Sequence, residues 1–351
     1  MRLVQLLLSA LLASPLVLAA HAEPAGCTGG GNTLGVTRIV EIDTSTGALF
    51  GAISKQTKEP RFLEPYEVVL TFDDGPMPPV TRAILDSLDR FCTKATFFEI
   101  GQMAIAYPAT VKSIIARGHT VGSHTWSHPL NLRHLPLEKA ITEIEKGYAA
   151  VTLAAGQPVA PFFRFPGLSD SAAMLAHLQE RGIASFTVDA VSDDSYISDS
   201  ERLLEHALKE IETQKGGIVL FHDIKPATAR MLPQFLSQLQ ARGYHIVHMR
   251  PKGQVTPMAG YTQTLAPLLA KSEKTAAAGG LVPFYGLLKP GISANGEPEN
   301  ATPAVTEIRP SVRPRTSKDS DSIAKHAAVS NAPHTQVRGW SERVEPGPDG
   351  R

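Results

Sequence analysis

A strand-then-helix unit that recurs between residues 66 and 250 constrains the fold of this chain more than any other feature. The first unit begins with a short apolar run at residues 67–72 and a turn. Apolar residues at helical spacing follow, namely Val80, Ile84 and Leu88. Strands that alternate with helices predict an α/β fold with a parallel sheet, and this many repeats favour closure into a barrel. An open doubly wound sheet is the alternative, although no Gly-rich dinucleotide turn follows the first strand.

Three segments flank the repeating region. Residues 1–22 combine a positive start, an apolar run shorter than the ~20 residues of a membrane-spanning helix, and small residues at the end. They predict a signal peptide, export to the periplasm or the extracellular space, and no stable membrane span. We interpret residues 23–65 as an extended N-terminal lead-in. Residues 251–351 lose the periodicity and become rich in Pro, Ser, Thr and mixed charges, which predicts a low-complexity, largely disordered tail.

Charge and cysteine content limit the partners of the chain. The 34 basic and 34 acidic residues give a formal net charge of +0, which argues against nucleic acid as a partner. In an oxidising compartment, Cys27 and Cys92 form the only intramolecular disulfide that the sequence allows. Two unpaired thiols are the alternative, because the sequence does not give their separation.

Unusual polar residues fall at the predicted carboxyl ends of the strands, where a parallel barrel carries its active site. In chain order they are Asp73, Asp74, His124, His128, Arg164, Asp189, Asp193, Asp194 and His222. A surface position on a loop would explain any one of them alone. Chance does not readily explain their placement together on one rim, so we expect a functional site there.

Two of these residues, His124 and His128, predict a metal site. At a spacing of four, the two imidazoles face the same way on one helical turn and can bind the same ion. One carboxylate of the pair Asp73 and Asp74 completes a His₂-Asp set with positions open for water. The other carboxylate cannot usefully bind from the same direction, so it is free to act as a general base.

His222 and Arg164 complete an acid–base arrangement. His222 is placed to protonate a leaving amine, and a carboxylate that follows the fifth strand can orient its imidazole. Arg164 can hold the base carboxylate in its ionised form. These residue types together indicate metal-assisted hydrolysis.

Four spaced motifs resemble those of polysaccharide deacetylases of the NodB-homology type, carbohydrate esterase family 4. In chain order they are TFDDG at 71–75, HTWSH at 124–128, RFPG at 164–167 and LFH at 220–222. The resemblance covers about residues 66–250, and it implies that this segment is a NodB-homology domain with a distorted (β/α)₇ TIM-like barrel. It also implies an acetylated glycan as substrate and a divalent metal ion, Zn²⁺ in the first place and Co²⁺ as the alternative.

The resemblance also implies a role for each matching residue. Asp73 would be the catalytic base, and Asp74 would bind the metal beside His124 and His128. Arg164 would partner the base. The remaining implied roles are oxyanion binding by the backbone N–H of Gly167, lining of the acetyl-methyl pocket by Leu220, and general acid catalysis by His222.

The fourth motif of the family departs from its usual form in this chain. Family members usually have Asp followed directly by Trp, whereas residues 188–196 read VDAVSDDSY, with Ser195 in the place of the Trp and one residue inserted. We predict that Asp194 orients the imidazole of the acid, with Asp189 as the second choice. Gly167 also stands where Tyr is common, so we expect the pocket wall to differ from the usual one.

Together these observations predict a hydrolase of carbon–nitrogen bonds other than peptide bonds, which removes acetyl groups from an N-acetylated glycan. Peptidoglycan, a chitin-type oligosaccharide or an exopolysaccharide would be its substrate. Two alternatives stay open. One is a deacylase for another acyl bond, either an O-acetyl ester or a small amide. The other is a catalytically weakened homologue that binds glycan, which only Ser195 favours.

Overall fold

The repeating region folds into parallel strands separated by helices, as the sequence predicts. The structure is a computed structural model that describes residues 33–280. The strands are β1 (Arg38–Ile42), β2 (Leu49–Phe50), β3 (Glu67–Asp73), β4 (Thr96–Glu99), β5 (Thr120–Ser123), β6 (Phe162–Phe163), β7 (Ala184–Phe186), β8 (Ala190–Val191), β9 (Gly217–His222) and β10 (His245–Pro251). The helices are α1 (Pro78–Arg90), α2 (Gly101–Ala106), α3 (Pro108–Ala116), α4 (Leu137–Ala155), α5 (Ala172–Arg181), α6 (Ser200–Gln214), α7 (Pro226–Ala241) and α8 (Ala259–Ala277).

Every pairing between the described strands is parallel. Seven strands are neighbours in the order β8-β9-β3-β4-β5-β6-β7, and β2 pairs with β7. Strand β10 pairs with the first residues of β3 and, along its other edge, with β1. The α/β class is therefore confirmed. No pairing within residues 33–280 joins β7 to β8, so hydrogen bonds do not close the barrel.

Strand β3 explains how the sheet directs side chains into the site. It is buried along its whole length, and its successive side chains point to opposite faces. The even-numbered residues from 68 to 72 pack in the apolar cluster that contains Ile84 of α1 and Phe235 of α7. Thr71 and Asp73 point the other way, into the interior. The same alternation on β9 places its last even-numbered residues on the interior face.

The predicted lead-in contributes to the sheet. Within it, β1 pairs with β10 over five residues, and β2 pairs with β7. The guanidinium of Arg38 also forms an ion pair with the carboxylate of Glu67 at the start of β3. The segment therefore covers the outer edges of β10 and β7, whereas the edge at β8 has no partner strand within residues 33–280.

The prediction of a disordered tail beyond residue 250 is wrong for α8. Leu265 of this helix is fully buried in an apolar cluster with Ile105 of α2 and with Ala149 and Ala150 of α4. The apolar residues of α8 are separated by small residues and a proline, which weakened the helical periodicity in the sequence. Packing against two other helices compensates for that weak pattern.

The segment between β10 and α8 is also fixed to the domain. The hydroxyl of Tyr148 donates to the carbonyl of Val255 at 3.1 Å. The guanidinium of Arg181 donates to the carbonyl of Thr256 at 2.9 Å. The predicted domain boundary at residue 250 therefore lies too early.

Some predictions fall outside the described residues. These are the signal peptide at residues 1–22, the low-complexity sequence beyond residue 280, and the Cys27–Cys92 disulfide, because Cys27 is not among the described residues. All three stay predictions. Among residues 33–280, no helix has both the length and the apolar character needed to cross a membrane.

Candidate active site

A pocket of about 390 Å³ at the carboxyl ends of the strands gathers the predicted residues. Eight of the nine residues with a predicted role line it, namely Asp73, Asp74, His124, His128, Gly167, Asp194, Leu220 and His222, and Asp193 lines it as well. Arg164 is fully buried and bonds from within the interior to one of them. The strand-end rule therefore located a shared site, since the carboxyl ends of parallel strands meet at one edge.

The turn after β3 presents its two carboxylates in different directions. Asp73 is the last residue of the strand, whereas Asp74 has a φ of 78°, in the left-handed region. The next residue is Gly75, where the backbone lies against the carboxylate of Asp223. A Cβ at this position would come within 2.1 Å of Asp223 Oδ2. Only glycine therefore permits this close approach.

Asp74, His124 and His128 form a set with the geometry of metal ligands. One candidate atom from each residue lies within 4.8 Å of the others. Oδ1 of Asp74 is 3.2 Å from Nε2 of His128 and 3.5 Å from Nε2 of His124. This oxygen is buried and has no hydrogen-bond partner among the described residues. A buried carboxylate oxygen that faces two imidazole nitrogens fits a divalent cation.

His124 is oriented and neutral, as a metal ligand requires. Its Nδ1–H donates to the carbonyl of Arg164 at 2.7 Å, so the lone pair of Nε2 faces the pocket. Burial, together with the nearby His128, lowers the pKa of His124 well below its usual value. Neutral imidazole is the form that binds a metal ion.

The two imidazoles do not share a helical turn, contrary to the expectation from their spacing. Residues 124–128 form a loop in which Thr125 and His128 have φ values of 68° and 58°. The backbone N–H of His128 donates to Oγ1 of Thr125 at 3.0 Å and closes the loop. The ring centroids of His124 and His128 still lie 4.9 Å apart. The loop therefore brings the two imidazoles close together, as the spacing predicted, although they do not lie on a helix.

Asp73 is a buried carboxylate held by a buried guanidinium. Its Oδ1 accepts from Nη1 of Arg164 at 2.7 Å, and the same nitrogen donates to Oγ1 of Thr71 at 2.8 Å. The guanidinium also lies over the ring of Phe98, 4.3 Å from its centroid. Burial raises the pKa of Asp73 to about 6, although the charge of Arg164 acts in the opposite direction.

His222 is held on the other side of the pocket. Its Nδ1–H donates to Oδ1 of Asp194 at 2.6 Å, and its backbone N–H donates to Oδ2 at 2.8 Å. Thr228 donates to the same carboxylate at 2.6 Å. Burial lowers the pKa of His222, but the hydrogen bond and charge of Asp194, with the charges of Asp74 and Asp73, outweigh it and raise the pKa to about 9.

The other acidic residues of the 188–196 segment have different partners. Asp189 accepts from the backbone N–H of Ile218 at 2.8 Å, near the start of β9. Asp193 lies 3.0 Å from Nε2 of His206. Asp194, the first of the two predicted choices, therefore contacts the imidazole of His222, and Asp189 does not. Tyr196 lines the mouth of the pocket and is 88% exposed.

Gly167 and Leu220 contribute shape to the pocket. Gly167 has a φ of 58°, and a Cβ built there would meet only the side chain of Leu130, at 3.9 Å. The absence of a tyrosine at this position therefore leaves the pocket open on that side. Leu220 lies on the interior face of β9 and is almost fully buried. Oxyanion binding by the N–H of Gly167 stays a prediction.

Two buried acids beside the site were missed in the sequence. Asp223 accepts from Oγ1 of Thr81 at 2.7 Å, and its own backbone N–H donates to the carbonyl of Asp73 at 3.2 Å. Burial, with the negative charge of Asp74, raises the pKa of Asp223 to about 7. Burial and the charge of Asp223 also raise the pKa of Glu99 well above its usual value. Both acids stand at strand ends, so the strand-end rule applied to every acidic residue would have found them.

Fold and donor set together define an α/β protein with a candidate three-residue metal site at the carboxyl edge of a parallel sheet. The family model described as polysaccharide deacetylase matches residues 63–186. The peptidoglycan-N-acetylglucosamine deacetylase of Bacillus cereus is 31% identical over 185 residues, which cover 51% of this chain and 84% of that protein. The chain therefore belongs to the polysaccharide deacetylase family.

Other relatives match the same part of the chain. A chitooligosaccharide deacetylase of Bradyrhizobium is 31% identical over 193 residues, covering 51% of this chain and 87% of that protein. The peptidoglycan-N-acetylmuramic acid deacetylase PdaC of Bacillus subtilis is 30% identical over 181 residues, covering 51% of this chain but only 37% of PdaC. Among solved structures, the Bdellovibrio bacteriovorus peptidoglycan deacetylase Bd3279 aligns with a TM-score of 0.57 at 33% identity, over 64% of this chain and 61% of that one.

Proposed function

We propose that this protein is a zinc-dependent hydrolase that removes acetyl groups from N-acetylated glycans. One observation carries the proposal: a buried carboxylate and an imidazole flank the Asp74–His124–His128 set in a single pocket. Each has a buried partner of opposite charge, Arg164 for Asp73 and Asp194 for His222. Amide hydrolysis needs a base for water and an acid for the leaving amine.

The donor set supports zinc as the metal. Two imidazole nitrogens and one carboxylate oxygen leave a fourth position open, as in catalytic zinc sites. Cobalt is the alternative, since imidazole and carboxylate ligands bind both ions. When bound, the ion supplies Lewis-acid chemistry at the acetyl carbonyl.

The side chains around the pocket then act in sequence. Asp73, held by Arg164, takes a proton from the water whose oxygen forms a bond with the acetyl carbon. The N–H of Gly167 donates to the developing oxyanion, and Leu220 packs against the acetyl methyl. When the carbon–nitrogen bond breaks, Nε2–H of His222 donates its proton to the leaving nitrogen. The products are acetate and a free amine on the sugar.

The relatives support the substrate class and the compartment. Their names specify peptidoglycan and chitooligosaccharide as substrates. We therefore propose that this protein acts on peptidoglycan, a chitin-type oligosaccharide or an exopolysaccharide. Peptidoglycan lies outside the cytoplasmic membrane, in agreement with the signal peptide predicted at residues 1–22.

Acetate release from a panel of substrates tests the proposal. The panel comprises N-acetylated chitooligosaccharides, peptidoglycan and O-acetylated xylan, each with and without a chelator. We expect release from an N-acetylated glycan that the chelator abolishes and added zinc restores. Activity that persists in chelator would exclude the metal role, and release from xylan alone would indicate an O-deacetylase. Glycan binding without release would indicate a catalytically weakened homologue.

A further inference from the structure

The guanidinium of Arg164 bonds to the end of strand β7 as well as to Asp73. Its Nε–H donates to the carbonyl of Phe186 at 3.3 Å, and its Nη2 donates to the carbonyl of Thr187 at 3.4 Å. The N–H groups of arginine lie in a fixed planar fork. The position of these two carbonyls therefore determines how the remaining nitrogen, Nη1, meets Asp73.

Strand β2 of the N-terminal lead-in holds the end of β7 from the other side. The carbonyl of Phe50 accepts from the backbone N–H of Thr187 at 2.8 Å and from its Oγ1 at 3.1 Å. The ring of Phe50 stacks on the ring of Phe186, with a distance of 5.3 Å between the centroids and an angle of 22° between the planes. The two residues whose carbonyls bond to Arg164 are therefore the same two that contact Phe50.

The residue after Phe50 shows how closely the two segments approach each other. Gly51 has a φ of 94°, and a Cβ at this position would come within 2.5 Å of Oγ1 of Thr187 and 2.6 Å of its carbonyl carbon. Glycine is therefore needed both for the conformation and for the distance. The backbone N–H of Ala52 then donates to the carbonyl of Val188 at 3.1 Å. A displacement of β2 would thus pass directly to the backbone at Thr187.

The backbone of Arg164 is held by different partners. Its N–H donates to the carbonyl of Ser123 at 3.1 Å, and its carbonyl accepts from Nδ1 of His124 at 2.7 Å. Neither bond involves β2 or β7. A displacement of β2 would therefore move the guanidinium of Arg164 but leave the orientation of His124 unchanged.

We propose that strand β2 positions the guanidinium of Arg164 for its contact with Asp73, and that Phe50 and Gly51 are positioning residues for the reaction. The inference rests on the proposed function, in which Arg164 holds the base. Strand β2 precedes residues 63–186, which the family model matches. The lead-in thus supports the base side of the pocket from outside the matched part of the chain.

The first test compares Phe50→Ala with the wild type in the full-length, zinc-loaded protein. A misplacement of about 1 Å in an active site can cost ~10²-fold in rate, so we expect kcat for acetate release from an N-acetylated chitooligosaccharide to fall by about 10-fold. KM and zinc content should keep their wild-type values, because His124 stays in place. Phe50→Tyr keeps the ring and should keep the wild-type kcat.

A second comparison tests whether this effect passes through Arg164. In an Arg164→Gln background, Phe50→Ala should lower kcat no further, because the effects of residues that share a partner are not additive. Leu34→Ala is the matched control, since it removes another buried side chain of the lead-in, in the apolar cluster that contains Ile84. It should lower the thermal transition and leave kcat unchanged. Equal losses from Phe50→Ala in both backgrounds would overturn the proposal.

Nuclear magnetic resonance of protein labelled with ¹⁵N-arginine gives a readout that does not depend on activity. The Nε–H signal of Arg164 is identified by its loss in Arg164→Gln. Phe50→Ala and Gly51→Ala should shift this signal and speed its exchange with water, whereas Leu34→Ala should leave it unchanged. If Phe50→Ala proves unstable in a thermal melt, Thr187→Val gives the same comparison, because it removes the hydroxyl bond to Phe50 and keeps the backbone N–H.

The outcomes distinguish this inference from the proposed function. An Arg164 signal that is unchanged in the folded β2 variants would overturn the inference, even with deacetylation established. Acetate release from none of the panel substrates would instead contradict the proposed function. The Arg164 signal would still decide whether β2 positions the guanidinium.

Discussion

On each of the two sides of the catalytic pocket, a buried side chain of opposite charge holds the group that is proposed to transfer a proton. On the base side, the end of β3 carries Asp73, and the buried guanidinium of Arg164 holds it. On the acid side, the end of β9 carries His222, and the buried carboxylate of Asp194 holds it. The supports differ in origin, because Arg164 follows strand β6 inside the sheet, whereas Asp194 comes from a loop after β8.

The two sides also differ in the cause that determines the pKa of Asp73 and the pKa of His222. Burial dominates on the base side and raises the pKa of Asp73 to about 6. On the acid side, burial lowers the pKa of His222, but Asp194 and the other carboxylates outweigh it and raise the value to about 9. Between these values the proposed base is ionised and the proposed acid is protonated, which is the state that the proposed hydrolysis needs.

The largest expected effect is on the base side. Asp73→Asn keeps an acceptor for Arg164 but removes the group that takes the proton, so kcat should fall by ~10²–10⁴-fold. Zinc content should stay at the wild-type level. Acetate release and metal analysis on the same preparation check both expectations.

The adjacent carboxylate provides the contrast. Asp74→Asn should weaken zinc binding by about 10-fold or more, by comparison with losses seen even outside the ligand set, and added zinc should partly restore activity. His128→Ala should behave in the same way. Titration against a competing chelator measures the affinity. If Asp73→Asn lost the metal and Asp74→Asn kept it, the two roles would be reversed.

The pH dependence of kcat/KM compares the two sides directly. Activity should rise as pH increases through about 6, where Asp73 loses its proton, and fall through about 9, where His222 loses its proton. The alkaline limb should disappear in His222→Ala, whose residual activity no longer depends on an imidazole. An unchanged alkaline limb in that variant would assign the acid to another group.

A smaller effect, a shift of the alkaline limb, tests the contact between Asp194 and His222. Asp194→Asn removes the charged partner of His222, so burial should lower its pKa and move the alkaline limb to lower pH. The acid limb should stay in place, because Asp73 depends on Arg164. Asp193→Asn is the matched control, since it removes a neighbouring charge that contacts His206 instead. Equal shifts in both variants would mean that the overall negative charge near His222, and not its hydrogen bond to Asp194, determines the pH of the alkaline limb.

The smallest expected effect on catalysis comes from α8, which contacts neither side. Leu265→Ala should lower the free energy of unfolding by about 2–5 kcal/mol, because it empties a fully buried position. Both limbs of the pH profile should stay in place. Leu268→Ala, at a partly buried position of the same cluster, should cost less. Denaturant unfolding and the pH profile check the two statements, and a moved limb would show that α8 influences the site.

The parallel α/β sheet was predictable because each strand–helix unit is a local pattern. Apolar runs of strand length, followed by residues at helical spacing, identified the repeating units between residues 66 and 250. The α8 helix was missed for a physical reason: its stability comes from packing against α2 and α4 rather than from its own pattern.

The predicted site residues depended on residue type and position at strand ends. Of the nine residues with a predicted role, eight line one pocket, including Gly167 and Leu220, whose roles came from the family resemblance, and Arg164 bonds to Asp73 from the interior. Asp223 and Glu99 also stand at strand ends, so their positions could have been found in the sequence, but only the structure shows that burial raises the pKa of both carboxyls. The spacing of His124 and His128 indicated a shared metal site but suggested the wrong local structure.

The sequence by itself determined which side chains reach the carboxyl rim, because strand alternation and strand ends are local properties. Only the tertiary structure decided which of them touch. It brought Asp194 rather than Asp189 to His222, and it joined Arg164 to Asp73 across the interior. It also separated Asp73 from Asp74 by a backbone turn into the left-handed region. Such contacts depend on how distant segments pack, and no residue pattern within one segment specifies them.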